Sequence, residues 1–302
     1  MKAILSILSI LLFLPVTSAL AKLNVVATTE DFGSIAKEIG GDKVSVVTLA
    51  RPTEDPHFVD AKPSFIAKLN RADALIDGGA ELEIGWLPPL LEGARNEKLE
   101  AGKPGRIEIA SGVSLLEVPA TLDRSKGDIH AAGNPHFMVD PENGRIAAKK
   151  ICDSFCQLVP ADAAAFTANL AAFNAKLDAK MAEWQKLMAP FKGRRIVAYH
   201  NAWVYFAKRF GVNIDLFLEP KPGIPPTPAN LAGVVERMKA EKIGVIIVDP
   251  YLSRRTAEAV AKDTGATIVD VAQFPGGMKP VDTGYIEFID HLVRAIAGAL
   301  AR

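Results

Sequence analysis

Apolar positions along the chain fall into two alternating regimes. Short runs that are apolar at almost every position occupy residues 23–28, 44–49, 74–76, 195–199, 245–248 and 266–271. Between them lie segments with apolar residues at steps of three and four: 32–39, closed by Gly40-Gly41; 63–70; 201–210, closed by Gly211; and 231–240. A run with no polar face is the mark of a strand covered on both sides, and glycine is the common stop after a helix. Strand and helix in this alternation predict βαβ units, hence an α/β fold with mostly parallel sheets.

The pattern occurs twice, before and after one long helical stretch at 161–188. Its large apolar residues are Phe166, Leu170, Phe173, Leu177, Met181, Trp184 and Met188, all on one face. At 1.5 Å per residue this helix runs roughly 40 Å, the length of a small domain. The expected architecture is two parallel-sheet α/β lobes joined by one long rigid helix. The alternative is a long surface helix inside a single domain. The predicted boundaries are 22–158 for the N-terminal lobe, 159–190 for the linker helix and 191–302 for the C-terminal lobe.

One apolar run does not fit a folded core. Residues 1–21 read as a basic start at Lys2, a hydrophobic stretch from 3 to 16 and an Ala19-Leu20-Ala21 cleavage site, which predicts a secretory signal peptide. A membrane anchor is the competing reading, but the run is under the ~18–20 residues needed to span and Pro15 interrupts it. No Cys follows the cleavage position, so a lipid anchor is not indicated, and a soluble periplasmic protein is expected.

Composition narrows the function by exclusion. Lys and Arg number 35 against 35 Asp and Glu, and removal of the leader takes away only Lys2, so the chain stays close to neutral. That argues against nucleic acid as partner, since such binding needs a basic excess. With 49% apolar and 23% charged residues the chain has the profile of a folded globular protein. Two cysteines, Cys152 and Cys156, cannot build a disulfide framework or a four-thiolate zinc site. Spaced four apart on a helix they have poor disulfide geometry, and buried packing residues are the simpler reading.

The five histidines carry the chemistry. Two stand in nearly the same phrase, Asp55-Pro56-His57-Phe58 and Asn134-Pro135-His136-Phe137. Each is a turn that presents imidazole on a stiff backbone, and the Asp or Asn two residues earlier is placed to hydrogen-bond the free ring nitrogen. His200 ends the apolar strand 195–199, at the carboxyl edge where open α/β sheets bind ligands. Three His in separate loops suit Zn²⁺ or Mn²⁺, with a carboxylate as fourth ligand. Asp249 and Asp270 stand late in apolar strands and are the candidates, although strand-end Asp residues also cap helices.

Taken together, these motifs resemble the cluster A-I, or TroA-like, family of zinc and manganese solute-binding proteins of ABC transporters. The resemblance covers the whole mature chain. It rests on Asp55-Pro56-His57 before Lys62-Pro63-Ser64, Asn134-Pro135-His136-Phe137-Met138-Val139-Asp140-Pro141, Tyr199-His200-Asn201-Ala202-Trp203, Glu219-Pro220-Lys221-Pro222-Gly223-Ile224-Pro225-Pro226-Thr227-Pro228 and Val248-Asp249-Pro250. It implies a metal cleft between the lobes, with His57, His136 and His200 as ligands. The fourth ligand it implies is a carboxylate, Asp270 first and Asp249 second, or water. It further implies zinc or manganese as cargo, a membrane permease as partner, and a monomer without catalytic activity. Many zinc members carry a His-rich loop before the second ligand. Here residues 121–133 hold only His130, which reads as a plain loop residue, and His291 as a structural helix residue.

The remaining motifs have modest readings. Residues 220–228 form a stiff proline-rich connector expected to shape the cleft wall. Glu81 and Glu83, before Trp86, read as an acidic cleft rim or a solvated turn. Two other functions compete: a secreted zinc hydrolase using the same histidines, which lacks an H-E-x-x-H motif or a nearby Glu, and a carrier of some other cargo such as an organic chelate.

Overall fold

The structure, a computed structural model, describes residues 22–121, 130–221, 223–278 and 284–302. The expected leader at 1–21 and most of the 121–133 segment lie outside them. Two four-stranded sheets form the framework. The first comprises β1 (Leu23–Ala27), β2 (Val44–Thr48), β3 (Ala74–Asp77) and β4 (Arg106–Glu108), ordered β2-β1-β3-β4. The second comprises β5 (Arg195–Ala198), β6 (Asn213–Phe217), β7 (Val245–Val248) and β8 (Thr267–Asp270), ordered β6-β5-β7-β8. Every pairing between these strands is parallel. The two lobes thus repeat one topology, with the strand order reversing beside β1 and beside β5, and such switch points open a crevice at the carboxyl ends.

The central strands are apolar on both faces because both faces are covered. Val25, Ala27 and Ile76 face inward, while Val26 and Leu75 pack outward against Phe65 of α2 (Pro63–Asn70) and Leu90 of α3 (Leu87–Ala94). In the second lobe Ile196 and Ile247 face inward. Val197 and Ile246 pack on Val234 of α7 (Pro228–Glu241) and Val260 of α8 (Arg254–Thr264). Strands β4 and β6 escape the apolar-run signal, since β4 has three residues and β6 alternates exposed Asn213 and Asp215 with buried Ile214.

The inward faces of both sheets belong to one continuous core, and the long helix α5 (Ala163–Met188) carries it across. Phe166, Phe173, Leu177, Met181, Trp184 and Met188 are all buried, while Leu170 of the same face is half-buried against the core. Helix α5 packs against α1 (Glu30–Gly40), α4 (Pro141–Leu158) and α9 (Tyr285–Leu300).

The last helix reaches back to the first half of the chain. Besides α5, α9 touches α1 and α4. The Tyr285 hydroxyl donates to the carbonyls of Met138 and Asp140, at 2.9 and 3.2 Å. Gly144 makes this contact possible, because a Cβ there would sit 2.1 Å from the Tyr285 ring. Asp140 also caps α4 by accepting from the Glu142 amide at 3.0 Å and pairs with Arg209 of α6 (Val204–Phe210) at 2.7 Å. Cys152 and Cys156 are free thiols with sulfurs 4.0 Å apart on α4. Among the described residues no helix is long and apolar enough to cross a membrane.

Candidate metal centre

Three loops bring the histidines together. His57 follows β2, and its amide donates to Asp55 Oδ1 at 2.9 Å; His136 repeats this geometry, donating to Asn134 Oδ1 at 3.0 Å. The Asp and Asn of the two similar phrases therefore hold the main chain of the turn, not the ring nitrogen expected from sequence. A side-chain oxygen two residues before an amide reaches that N–H more readily than a ring on a rotating χ1. Trp86 Nε1 donates to the Pro56 carbonyl at 2.8 Å and fixes the first turn. Asn134 Nδ2 donates to the Asn201 carbonyl at 2.8 Å, tying the second turn to the loop after β5.

His200 closes the set from the end of β5. The parallel ladder continues past β6, with Leu218 donating to Ala198 and Glu219 to Tyr199, at 3.0 and 3.2 Å. This register places Glu219 beside His200, and its Oε1 meets His200 Nδ1. Nε2 of His200 is thereby left facing the other two imidazoles. His136 Nε2 lies 3.1 Å from His200 Nε2 and 3.2 Å from His57 Nε2, with the rings edge to face. Among the described residues, His57, His136 and His200 form a group able to hold a metal ion, each offering one atom within 4.8 Å of the others.

The electrostatics keep two of the three rings neutral. Burial, and then the neighbouring His130 and His200, pushes His57 down to about 3. Burial and the other imidazoles likewise hold His136 well below the ordinary value. For His200 burial works in the same direction, but the hydrogen bond and charge of Glu219 outweigh it, and the ring is raised. Neutral imidazoles with converging lone pairs are the state a metal ion requires.

The two carboxylates expected as fourth donors do not join the imidazoles. Asp270 ends the edge strand β8 with its side chain 45% exposed and paired with Arg254. The two-residue alternation of β8, with Val269 buried and Asp270 turned out, sends it to solvent. Asp249 is buried beyond β7, but its Oδ1 accepts from Gln273 Nε2 at 3.0 Å and its Oδ2 has no hydrogen-bond partner. Burial pushes Asp249 up to about 7, against the opposing pull of Gln273 and His200.

Several neighbours do more than their sequence context indicates. His130 stacks on His57 with ring centroids 5.0 Å apart and planes 21° apart, so it is part of the site wall. It lines a cavity of about 220 Å³ with Asp55, His57, His200, Glu219 and Tyr251, and Gly223 and Pro225 of the proline-rich connector border the same space. Glu83 is no rim residue: it is buried, accepting from Thr28 Oγ1 at 2.6 Å and from the Gly78 and Gly79 amides at 2.8 and 3.3 Å. It anchors a loop in which Gly79, Ala80 and Glu81 all have positive φ, of 69°, 49° and 66°. That loop offers the Leu82 carbonyl to the His57 ring. Glu219, which sequence reasoning passed over as a site residue, had a usable signal in its place after a strand neighbouring that of His200. His291 lies on α9, next to the Asp290 that accepts from Trp184.

Comparison with known proteins agrees with this geometry. A family model described as the zinc-uptake complex component A, periplasmic, matches residues 25–299. A metal ABC transporter substrate-binding lipoprotein of Streptococcus cristatus is 28% identical over 253 residues, covering 82% of this chain and 78% of that protein. A manganese ABC transporter substrate-binding lipoprotein of Streptococcus gordonii is 28% identical, over 83% and 79%. An iron ABC transporter substrate-binding lipoprotein of Streptococcus pyogenes is 27% identical, over 82% and 78%. Among solved structures, that of ZnuA superposes with a TM-score of 0.76 at 22% identity, covering 92% of this chain and 99% of that one, which establishes the shared two-lobed fold.

Proposed function

The chain belongs to the zinc-uptake component A family of periplasmic proteins, and from that premise we propose that it captures a divalent transition metal and delivers it to the permease of an ABC transporter. His57, His136 and His200 are the proposed ligands. The observation that carries this reading is the convergence of their Nε2 atoms, with separations of 3.1 and 3.2 Å. Imidazole donors suit zinc, and the order of divalent-metal affinities places manganese behind it, so zinc is the proposed cargo with manganese next. The relatives are named for manganese, iron or metal at large, so the cargo varies within this group.

The proposed protein acts as a monomer in the periplasm, without a catalytic step. The streptococcal relatives are named lipoproteins, whereas here the first Cys of the sequence is Cys152. Glu219, beside His200, is committed to the ring and not to an attacking water, so nothing favours the hydrolase alternative. The test is competition between chelator-stripped protein and a chromophoric chelator, for zinc and for manganese. One equivalent of zinc bound, more tightly than manganese and lost in His57→Ala and His200→Ala, is expected. Absence of stoichiometric binding, or indifference to both substitutions, rejects the reading.

Two further results follow from the site. With His57 at about 3 and His136 held low, protons compete with metal chiefly at His200, whose ordinary value of 6.5 is raised. Apparent affinity should fall about tenfold per pH unit once the pH drops below that raised value, down to about pH 4. A hundredfold or steeper fall per unit, measured by competition between pH 5 and 6, would mean that more than one ring releases a proton. The second result concerns Glu219, which orients and polarises His200. Partners of this kind are worth roughly 10–100-fold in metal affinity, so Glu219→Gln should weaken binding by that factor and shift the pH threshold downward. Unchanged affinity and threshold would reduce Glu219 to a packing residue.

A further inference from the structure

We propose that Glu83 is a positioning residue for the metal site: its carboxyl group holds a strained turn at 78–86 in the shape that seats the main chain of His57 and the loop of His130. The proposal rests on the metal-binding reading above and deepens it.

The turn leaves the carboxyl end of β3 and does not keep its shape unaided. Gly79, Ala80 and Glu81 follow one another at φ of 69°, 49° and 66°. A side chain disfavours this left-handed region, so Ala80 and Glu81 are held there by their surroundings. The holder is Glu83, 3% exposed. Its Oε1 accepts from Thr28 Oγ1 at 2.6 Å and from the Gly78 amide at 2.8 Å, while Oε2 accepts from the Gly79 amide at 3.3 Å. Gly78 allows this approach, because a Cβ there would lie 3.2 Å from Oε1 and 2.9 Å from the Leu82 side chain. Thr28 is itself fixed to the sheet, its amide donating to Ile76 and its carbonyl accepting from Ala50, both at 2.9 Å. One buried carboxyl group thus ties the turn to the ends of β1 and β3.

The far side of the turn meets two loops of the site. Trp86 donates from Nε1 to the carbonyl of Pro56, the residue before His57, at 2.8 Å. The main chain at Gly85 abuts His57 itself, since a Cβ there would lie 3.1 Å from the His57 carbonyl oxygen. Glu81 Oε2 accepts from the Ala131 amide at 2.6 Å and lies 4.0 Å from His130 Nδ1. Were the backbone at 79–81 to relax to ordinary dihedrals, these contacts would shift together, and His57 with the stacked His130 would lose its seat. The metal would then have to order the loops as it binds, and that cost appears as lost affinity.

Glutamine is a poor substitute at this position. Burial, and then Asp77, push the Glu83 carboxyl up to about 8. With or without the proton, each of its oxygens keeps a lone pair for a donor, whereas the NH₂ of a glutamine would meet the Gly79 amide with none.

The experiment uses the mature protein with Glu83→Gln, alone and combined with Ala80→Gly, and with Trp86→Phe. Zinc affinity and the visible spectrum of bound cobalt(II) are measured well below the Tm of each stripped protein. Glu83→Gln should weaken zinc binding roughly tenfold and change the cobalt spectrum, at the low end of what partners behind the ligands contribute. Ala80→Gly removes the side-chain penalty of the left-handed backbone, so adding it should recover roughly half of the lost factor on a logarithmic scale. Trp86→Phe keeps a ring and removes the donor to Pro56; it should weaken binding roughly threefold, and it stands in if Glu83→Gln does not fold. A lower Tm with parental zinc affinity and an unchanged cobalt spectrum in Glu83→Gln overturns the proposal, as does parental affinity in Trp86→Phe. A loss that Ala80→Gly does not recover at all also overturns it, since strain in the turn would not be what the carboxyl group opposes. Failure of the parent to bind zinc, or parental binding by His200→Ala, overturns the metal reading itself and is seen before any Glu83 variant is compared.

Discussion

Replacing His136 by Ala is expected to lower zinc affinity by roughly two to three orders of magnitude while leaving the metal-free fold in place. Zinc sites bind with about 10–16 kcal/mol shared among four donors, so one donor accounts for about 2.5–4 kcal/mol, and each 1.4 kcal/mol is tenfold. His136 is the ring whose removal should cost most, because its Nε2 faces both of the others at 3.1 and 3.2 Å. The fold should tolerate the change. The turn is held by Asn134 through main-chain bonds, and the following Phe137, Met138 and Val139 are anchored in the core independently of the ring. Competitive titration against a chelator, with a thermal scan of the stripped protein, separates the two effects. Binding within threefold of the parent would remove His136 from the site.

Trp184→Ala should be among the most destabilising single changes available. The indole is fully buried on α5, within the core that joins both sheets, and its Nε1 donates to Asp290 Oδ1 at 2.9 Å. Emptying such a site costs about 3–5 kcal/mol in lost burial and cavity formation. For a chain of this size each kcal/mol moves Tm by roughly 2–4 °C, so a fall of about 6–20 °C is expected. Asp290 retains Lys180 and Arg294, the latter at 2.9 Å, so it is not left a bare buried charge. Trp184→Phe should lose less, since it keeps most of the volume. A fall under about 3 °C for the Ala variant would show that α5 does not carry the shared core.

Much of this molecule is legible in its sequence because its central strands and its long helix are ordered by burial. The unbroken apolar run at 245–248 reads as a covered strand, and the spacing from Phe166 to Met188 reads as one helix face. What stayed hidden depends on register and on three-dimensional neighbours. Edge strands β4 and β6 lack a continuous apolar signal. Three histidines could be singled out from Asp-Pro-His, Asn-Pro-His and a strand end, because turn chemistry and strand ends are local. Their partners are not local. Glu219 reaches His200 through the β5–β6 register, and Gln273 reaches His136 from more than a hundred residues away. Asp270 was attractive because it ends an apolar strand. Successive strand residues point to opposite faces, so a single step along the chain decides whether such a carboxylate meets a cleft or water.

The return of α9 to the first half of the chain has a consequence for the order of events in folding. Tyr285 is fully buried against Gly144 and caps the carbonyls of Met138 and Asp140, near the second histidine. An exported chain emerges from the membrane with its first 190 residues well ahead of residue 285, so the N-terminal half must wait with part of its core uncovered. The emerging chain therefore stays short of its final stability and locks only when the sixteen-residue α9 arrives. Chains stopped short of that helix keep apolar surface open to water, which marks them for proteases and chaperones.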